Sequence, residues 1–237
     1  MNHSTPSPDP SPQCGLLYLV PTPIGNLEDI TLRALRVLKE CDLILAEDTR
    51  HTGHLLKHFE ISKPMLSYHK FNEAARKGQV LDRLKDGEQL ALVTDAGTPG
   101  ISDPGQRIVA EALASGFQVQ SLPGACALTT ALSGSGLPTD TVHFFGFLDR
   151  KSARRRRKLT ACRDMDGTLV FYESPHRILK LLEELNDLMP DADVVLAREL
   201  TKKFEQYVRG KATDLWARHA QLRIKGEFVV LVHQPGA

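Results

Sequence analysis

Residues 90–105 read LALVTDAGTPGISDPG, an apolar run that meets an acid and opens into a loop punctuated by Gly97, Pro99, Gly100, Pro104 and Gly105. Glycines let backbone approach a ligand without a Cβ in the way, and a carboxylate such as Asp95 can hold ribose hydroxyls or a cationic group. The segment therefore reads as a cofactor pocket or as an ordinary strand-to-helix turn. Polar side chains gather behind two other apolar runs: Glu47, Asp48, Thr49 and Arg50 after LILA, and His69 to Glu73 (HKFNE) after MLSY. His51, His54 and His58 share one helix face, with His69 nearby, a set that would suit a metal. No HExxH and no cysteine at ligand spacing accompanies them, so no metal is expected and they read as a solvent or RNA boundary. The absence of GxxxxGK[ST], GxGxxG and GxSxG argues against ordinary nucleotide triphosphate, nicotinamide and serine hydrolase sites.

The elements that must position these residues alternate strand and helix. Leu16 to Val20 predicts a strand, followed by the loop PTPIGNLED (Pro21 to Asp29) and a helix over Thr31 to Lys39. Strands are expected at Leu43 to Ala46, Met65 to Tyr68, Leu90 to Val93 and Phe117 to Leu122, and Leu90 to Val93 is a short continuous apolar run, as expected when helices cover both faces of a parallel sheet. Helices are expected at Thr52 to Phe59, from the HKFNE segment to Asp86, and from about Pro104. Ser102 or Asp103 would cap the last of these, Pro104 would sit in its first turn, and Ile108, Val109, Ala112 and Leu113 would share a face. Pro123 to Ala127 turns into a small-residue helix reaching about Ser133, lean enough for close packing on a sheet or for ligand contact at its N–H groups.

GSGLPTDT (134–141) is rich in turn formers and reads as a hinge, so the expected domains are 15–135 and 142–237, behind a disordered, proline-rich extension at 1–14. The second half would carry strands at His143 to Phe147, Thr168 to Tyr172, Val194 to Arg198, Phe204 to Arg209 and Phe228 to His233. Its helices would span Ala153 to Cys162, Pro175 to Leu188 with Ser174 as cap, and Thr213 to His219. The fold class is α/β, in two domains.

With 237 residues, 41% of them hydrophobic, the chain can build a substantial core. Four cysteines without paired spacing point to a reducing cytoplasm, and no apolar run approaches a membrane span. Net charge is only +1, but Arg150 to Lys158, RKSARRRRK, concentrates seven cations in nine residues with no acidic cluster nearby in sequence. Such a run presents a patch to RNA phosphates, its alternative being a solvated helix face.

The segments VPTPIGNLEDIT, AEDTRHTGHLL, LVTDAGTPGISDPG, LPGACALTTALSGSGLP, FYESPHRI and ARELTKKFEQYVRG strongly resemble the bacterial small-subunit rRNA 2′-O-ribose cytidine methyltransferases, within the tetrapyrrole-methylase-like class of S-adenosylmethionine enzymes. The match runs from Leu17 to Val232 with its motifs in order. The resemblance implies two α/β domains of the tetrapyrrole-methylase type with the cofactor cleft between them, a homodimer, S-adenosylmethionine as cofactor, and a cytidine in the decoding region of 16S rRNA, within the 30S subunit, as target. It also implies cofactor contacts from Asp95, Gly97, Thr98 and Ile101, from Gly124, Ala125, Cys126 and Ala127, and from Phe171 and Tyr172. Pro23 and Gly25 would join them, although PTPIGN is less glycine-dense than the first loop of tetrapyrrole methylases and would serve equally to face substrate.

Methyl transfer to a ribose hydroxyl is an in-line displacement whose acceptor must lose a proton, so positioning and a base both matter. Glu47, Asp48, His69 and Glu73 are the candidate catalytic groups. Arg50, Lys70, Asn72, Arg177 and Lys202, with Arg154, Arg155, Arg156 and Arg157 of the basic run, are the candidate RNA contacts. Glu173 and Glu205 can instead pair with a neighbouring arginine or lysine. The rival readings are a methylase of small tetrapyrroles, which would want a more apolar pocket, and a binding-only ribosome-assembly factor.

Overall fold

The computed structural model describes residues 15–235; the expectation of a disordered extension at 1–14 lies outside them. The chain forms two compact units that divide after Gly124, with the short segment Pro23–Asp29 grouped with the second.

The first unit holds a five-stranded parallel sheet in the order β3-β2-β4-β1-β5, built from β1 (Leu16–Leu19), β2 (Leu43–Ala46), β3 (Met65–Ser67), β4 (Gln89–Val93) and β5 (Gln118–Ser121). All four residues of β2 are buried, as a strand covered on both faces requires. Alternate side chains face opposite layers. Ile44, Ala46, Ala91 and Val93 meet Ala34, Val37 and Leu38 of α1 (Leu32–Glu40) and Leu56 of α2 (Thr49–His58). Leu43, Leu45, Leu90 and Leu92 meet Val80 and Leu84 of α3 (Glu73–Lys85) and Ile108 and Ala112 of α4 (Gln106–Ala114). The buried residues of α1 recur at i, i+3 and i+4, and the Thr31 hydroxyl caps its start by accepting from the Ala34 N–H at 3.0 Å.

Helices α1 and α2 thus cover one face and α3 and α4 the other, so the connections leaving β1 and β2 depart to the opposite side from the one leaving β4. That arrangement places a crevice outside the carboxyl ends of these three adjacent strands.

Two starts in this unit differ from the sequence expectation. Helix α2 begins three residues earlier, because Asp48 caps it and accepts from the Arg50 N–H at 2.9 Å. Helix α4 begins after Gly105, not at Ser102 or Asp103. Gly105 sits at φ 133°, and a Cβ there would press on Leu92 Cδ2 at 2.8 Å, so glycine is needed both for the turn and for the close approach to β4. Of the apolar face expected on α4, Ile108 and Ala112 are buried, whereas Leu113 is 57% exposed.

The second unit holds a mixed sheet, β6-β7-β10-β8-β9, from β6 (Val142–Phe147), β7 (Thr168–Glu173), β8 (Asp193–Arg198), β9 (Gln206–Lys211) and β10 (Phe228–His233). Strand β10 is the last in sequence but lies between β7 and β8, antiparallel to both, with all but its final residue buried. One face packs against α6 (Ser152–Cys162), α7 (Ile178–Leu188) and α8 (Ala212–Ala217). The other carries Val170, Val195, Val229 and Leu231 against Ala131 of α5 (Ala127–Ser135) and Ile24.

The small residues of α5 therefore serve sheet packing in the second unit, and the division falls before that helix and not at 134–141. Gly136, in the left-handed region at φ 79°, only ends α5. Helix α7 starts at Ile178, so Ser174 and Pro175 belong to a turn before it, and β9 begins two residues later than expected, leaving Phe204 in the preceding turn.

Candidate active site

The loops at the carboxyl ends of β1, β2 and β4 are tied together within the first unit. Thr22 and Gly97 exchange both backbone hydrogen bonds at 2.9 Å, and the buried Thr22 hydroxyl donates to the Thr94 carbonyl at 3.0 Å. The Thr94 hydroxyl donates to Glu47 Oε2 at 2.8 Å, and the Asp48 N–H donates to Asp95 Oδ1 at 3.1 Å. The loop then turns through Gly97, Gly100 and Ser102, all with positive φ.

Asp103 is the residue that sequence reasoning passed over, naming it only as a helix cap. It is partly buried, and its carboxyl is pushed up to about 6, first by burial and then by the negative charge of Glu47, with Asp95 adding to it and a hydrogen bond to Thr94 opposing. No cation enters among those influences. Glu47, Asp95 and Asp103 thus make a negative site at the mouth of the sheet, with a clustered charge that a cationic ligand would relieve. The only sequence signal that could have found Asp103 was its place two residues before Gly105, inside the loop that already held Asp95.

The other proposed catalytic groups are engaged elsewhere. Asp48 accepts from the Arg50 side chain at 2.7 and 3.1 Å as well as from its N–H, and these bonds hold its carboxyl well below the usual carboxylate range. Glu73 is buried, and its Oε1 accepts from the Gly105 N–H at 3.2 Å, which makes it a tie between α3 and α4. His69 Nδ1 accepts from the Phe71 N–H at 3.3 Å in a turn that Asn72 closes, accepting from the His69 N–H at 2.8 Å and donating to the Ser67 carbonyl at 3.1 Å. Asn72 is thus occupied within its own turn.

Among the proposed cofactor contacts, Asp95, Gly97, Thr98 and Ile101 all lie on this loop, with Ile101 36% exposed. Gly124 is required by packing, since a Cβ there would meet the Pro21 ring at 2.7 Å. Gly25 is likewise fixed by the Lys202 side chain lying over it, in the second unit with Pro23. Ala125, Cys126 and Ala127 form the entry to α5, where the Cys126 carbonyl accepts from the Thr130 N–H and hydroxyl and from the Thr129 hydroxyl. Phe171 does not present its ring to a ligand: it is fully buried, stacked on Phe145 at 5.3 Å under α6 and α7. Tyr172, one residue on, faces the opposite layer and packs edge-on to Phe144 and Phe147.

The basic run divides by helical period. Arg155 falls on the stripe of Leu159 and Cys162, so it points inward and is only 2% exposed. It makes a two-pronged pair with the buried Glu184 of α7 at 2.6 and 2.7 Å. Arg154 meets Asp149, the residue just before the run, at 3.4 Å, and Arg156 meets Asp187, distant in sequence, at 2.9 Å, so acids do offset the run. Arg157 remains exposed, and Lys158 lies over the Phe145 ring at 4.5 Å.

Other expected RNA contacts are also committed. Arg177 bonds Glu173 at 2.7 Å and the Leu148 carbonyl at 3.1 Å, and Lys202 bridges Glu199 and Glu227 at 3.0 and 2.8 Å. Arg50 is well exposed despite its bonds to Asp48. Among the described residues Glu205 makes no ion pair with an arginine or lysine, and it accepts from the Thr201 N–H at 2.5 Å. His51, His54 and His58 are exposed on α2, and the described residues contain no group of three or more metal-ligating side chains.

Residues 16–215 match the model of the tetrapyrrole (corrin/porphyrin) methylase family. A ribosomal RNA small subunit methyltransferase I from Vibrio cholerae is 50% identical over 221 residues, covering 92% of this chain and 77% of that protein. The chain belongs to the ribosomal RNA small subunit methyltransferase I family. The fold of this methyltransferase I family member also matches a cobalamin biosynthetic enzyme, cobalt precorrin-4 methyltransferase, at a TM-score of 0.69 and 19% identity, over 93% of this chain and 95% of the other. The uroporphyrin-III C-methyltransferase of Thermus thermophilus in complex with S-adenosyl homocysteine matches at 0.64 and 19%, over 93% and 98%. At that identity the shared property is the fold.

Proposed function

We propose that the chain transfers a methyl group from S-adenosylmethionine to the ribose 2′-oxygen of a cytidine in 16S rRNA, cytidine 1402 of the decoding region, acting on the 30S subunit in the cytoplasm as a homodimer. Membership of the methyltransferase I family carries this reading, and the carboxylate site beside the loop 95–105 supports it chemically. When bound, the cofactor supplies an electrophilic methyl on a sulfonium.

The residues of this site fit such a group. Asp95 and Asp103 would balance its positive charge and hold its hydroxyls, and Gly97, Thr98 and Ile101 would line it with backbone, a hydroxyl-bearing side chain and an apolar one. Glu47, oriented by the Thr94 hydroxyl, would take up the proton of the acceptor hydroxyl, a weak acid that needs a positioned base. Asp48, Glu73 and His69 would hold the loops in register without touching the reacting atoms. The clustered carboxylates, whose repulsion is relieved by a cation, favour a ligand carrying positive charge over a neutral one.

The test is transfer of labelled methyl from S-adenosylmethionine to 30S subunits from cells lacking this protein, the modified nucleotide being mapped by its resistance to alkaline cleavage. Label at one cytidine 2′-oxygen is the expected result. No label, with cofactor binding intact, would redirect the reading to small tetrapyrroles or to a binding-only role.

A further inference from the structure

The dipeptide Lys-Phe occurs twice, at 70–71 and 203–204, each time in the segment that follows a strand, β3 or β8. In both places the phenylalanine is left in solvent: Phe71 is 85% exposed and Phe204 59%. In both, the preceding lysine lies over the ring, Lys70 Nζ at 4.9 Å and Lys203 Nζ at 5.8 Å from the centroid.

Neither ring hangs on a loose loop. The Phe71 turn is closed by the Asn72 side chain and by the His69 ring, as described above. The Phe204 carbonyl accepts from Nη2 of the buried Arg198 at 2.9 Å, and the same guanidinium reaches the Lys225 carbonyl at 2.7 Å. Within that segment Glu199 and Thr201 sit at φ 52° and 64°, a conformation that costs a non-glycine residue and persists only where surrounding bonds impose it. Two fixed turns thus hold two large apolar rings out in water, each beside a cation.

We propose that Phe71 and Phe204 are stacking platforms for unstacked bases of the substrate RNA, with Lys70 and Lys203 serving the adjoining phosphates. This inference rests on the ribosomal RNA reading above and adds residues to it. Sequence-specific recognition of RNA relies on splayed single-stranded bases laid on aromatic side chains. A pre-positioned ring loses little freedom on binding, and a lysine beside it matches a partner that carries a phosphate on every unit and so favours RNA over a protein contact.

The experiment uses the full-length protein with 30S subunits, measuring Kd by filter binding and methyl transfer on the same preparation. Phe71→Ala and Phe204→Ala should each weaken 30S binding about tenfold, the scale of one aromatic–base stack. Phe71→Trp and Phe204→Trp should bind as the parent does, with affinity for S-adenosylmethionine and sedimentation unchanged throughout. Alanine variants that bind 30S as tightly as the parent would overturn the proposal, as would alanine variants that alter self-association, since the rings would then contact a second copy. A parent protein that binds 30S but transfers no methyl would overturn the proposed function while the binding ratios still decide this one.

Discussion

Asp103 decides the pH behaviour of the candidate site. Its carboxyl, ordinarily near 3.8, is raised to about 6 in the folded protein, so the fold binds this proton more tightly than the unfolded chain does. The stabilising contribution is therefore complete below about pH 4 and lost as pH rises through about 6. Replacing it with asparagine should leave the melting temperature near pH 4 unchanged and raise it above pH 6, as differential scanning calorimetry would register. A cationic ligand draws the group the other way, towards its ionised form. Affinity for S-adenosylmethionine should tighten between pH 5 and 7, S-adenosyl homocysteine should respond less, and Asp103→Asn should flatten the difference in calorimetric titration. Glu73 makes a contrasting case. Glu73→Ala leaves the buried Gly105 N–H without its acceptor, and should cost about 1–3 kcal/mol of stability in urea titration with kcat retained.

At the scale of elements, α6 carries two kinds of arginine. Arg155→Ala would strand the buried Glu184 carboxylate and should destabilise the protein by about 3–5 kcal/mol, measured by chemical denaturation. Arg157→Ala, on the exposed face, should leave stability unchanged and lower the slope of log Kd against log salt for 30S binding by about 0.7, the share of one contact to single-stranded RNA. The sequence displayed all four arginines as equals. Only the registration of α6 against α7 sorts them, because a helix turns each successive residue by about 100° and the partner acids Asp187 and Glu184 arrive from elsewhere in the chain.

For the molecule as a whole, the target nucleotide must be recognised in a folded context, so the assembled 30S subunit should be methylated much faster than protein-free 16S rRNA in parallel time courses. Equal rates would mean that local sequence suffices.

The strands, most helices, the α/β class and the loop of Asp95 were legible in the sequence, because apolar periodicity and turn residues are local properties of the chain. Leu43 to Ala46 and Phe228 to His233 were read to the residue. Three things needed the tertiary structure. The position of β10 between β7 and β8 is a long-range pairing. The membership of α5 in the second unit depends on which sheet its small residues meet. The sorting of polar residues into site and scaffold depends on partners tens of residues away: Gly105 for Glu73, Glu184 for Arg155, and Glu47 for Asp103. Local chemistry proposes what a side chain can do, and burial with its partners determines what it is free to do.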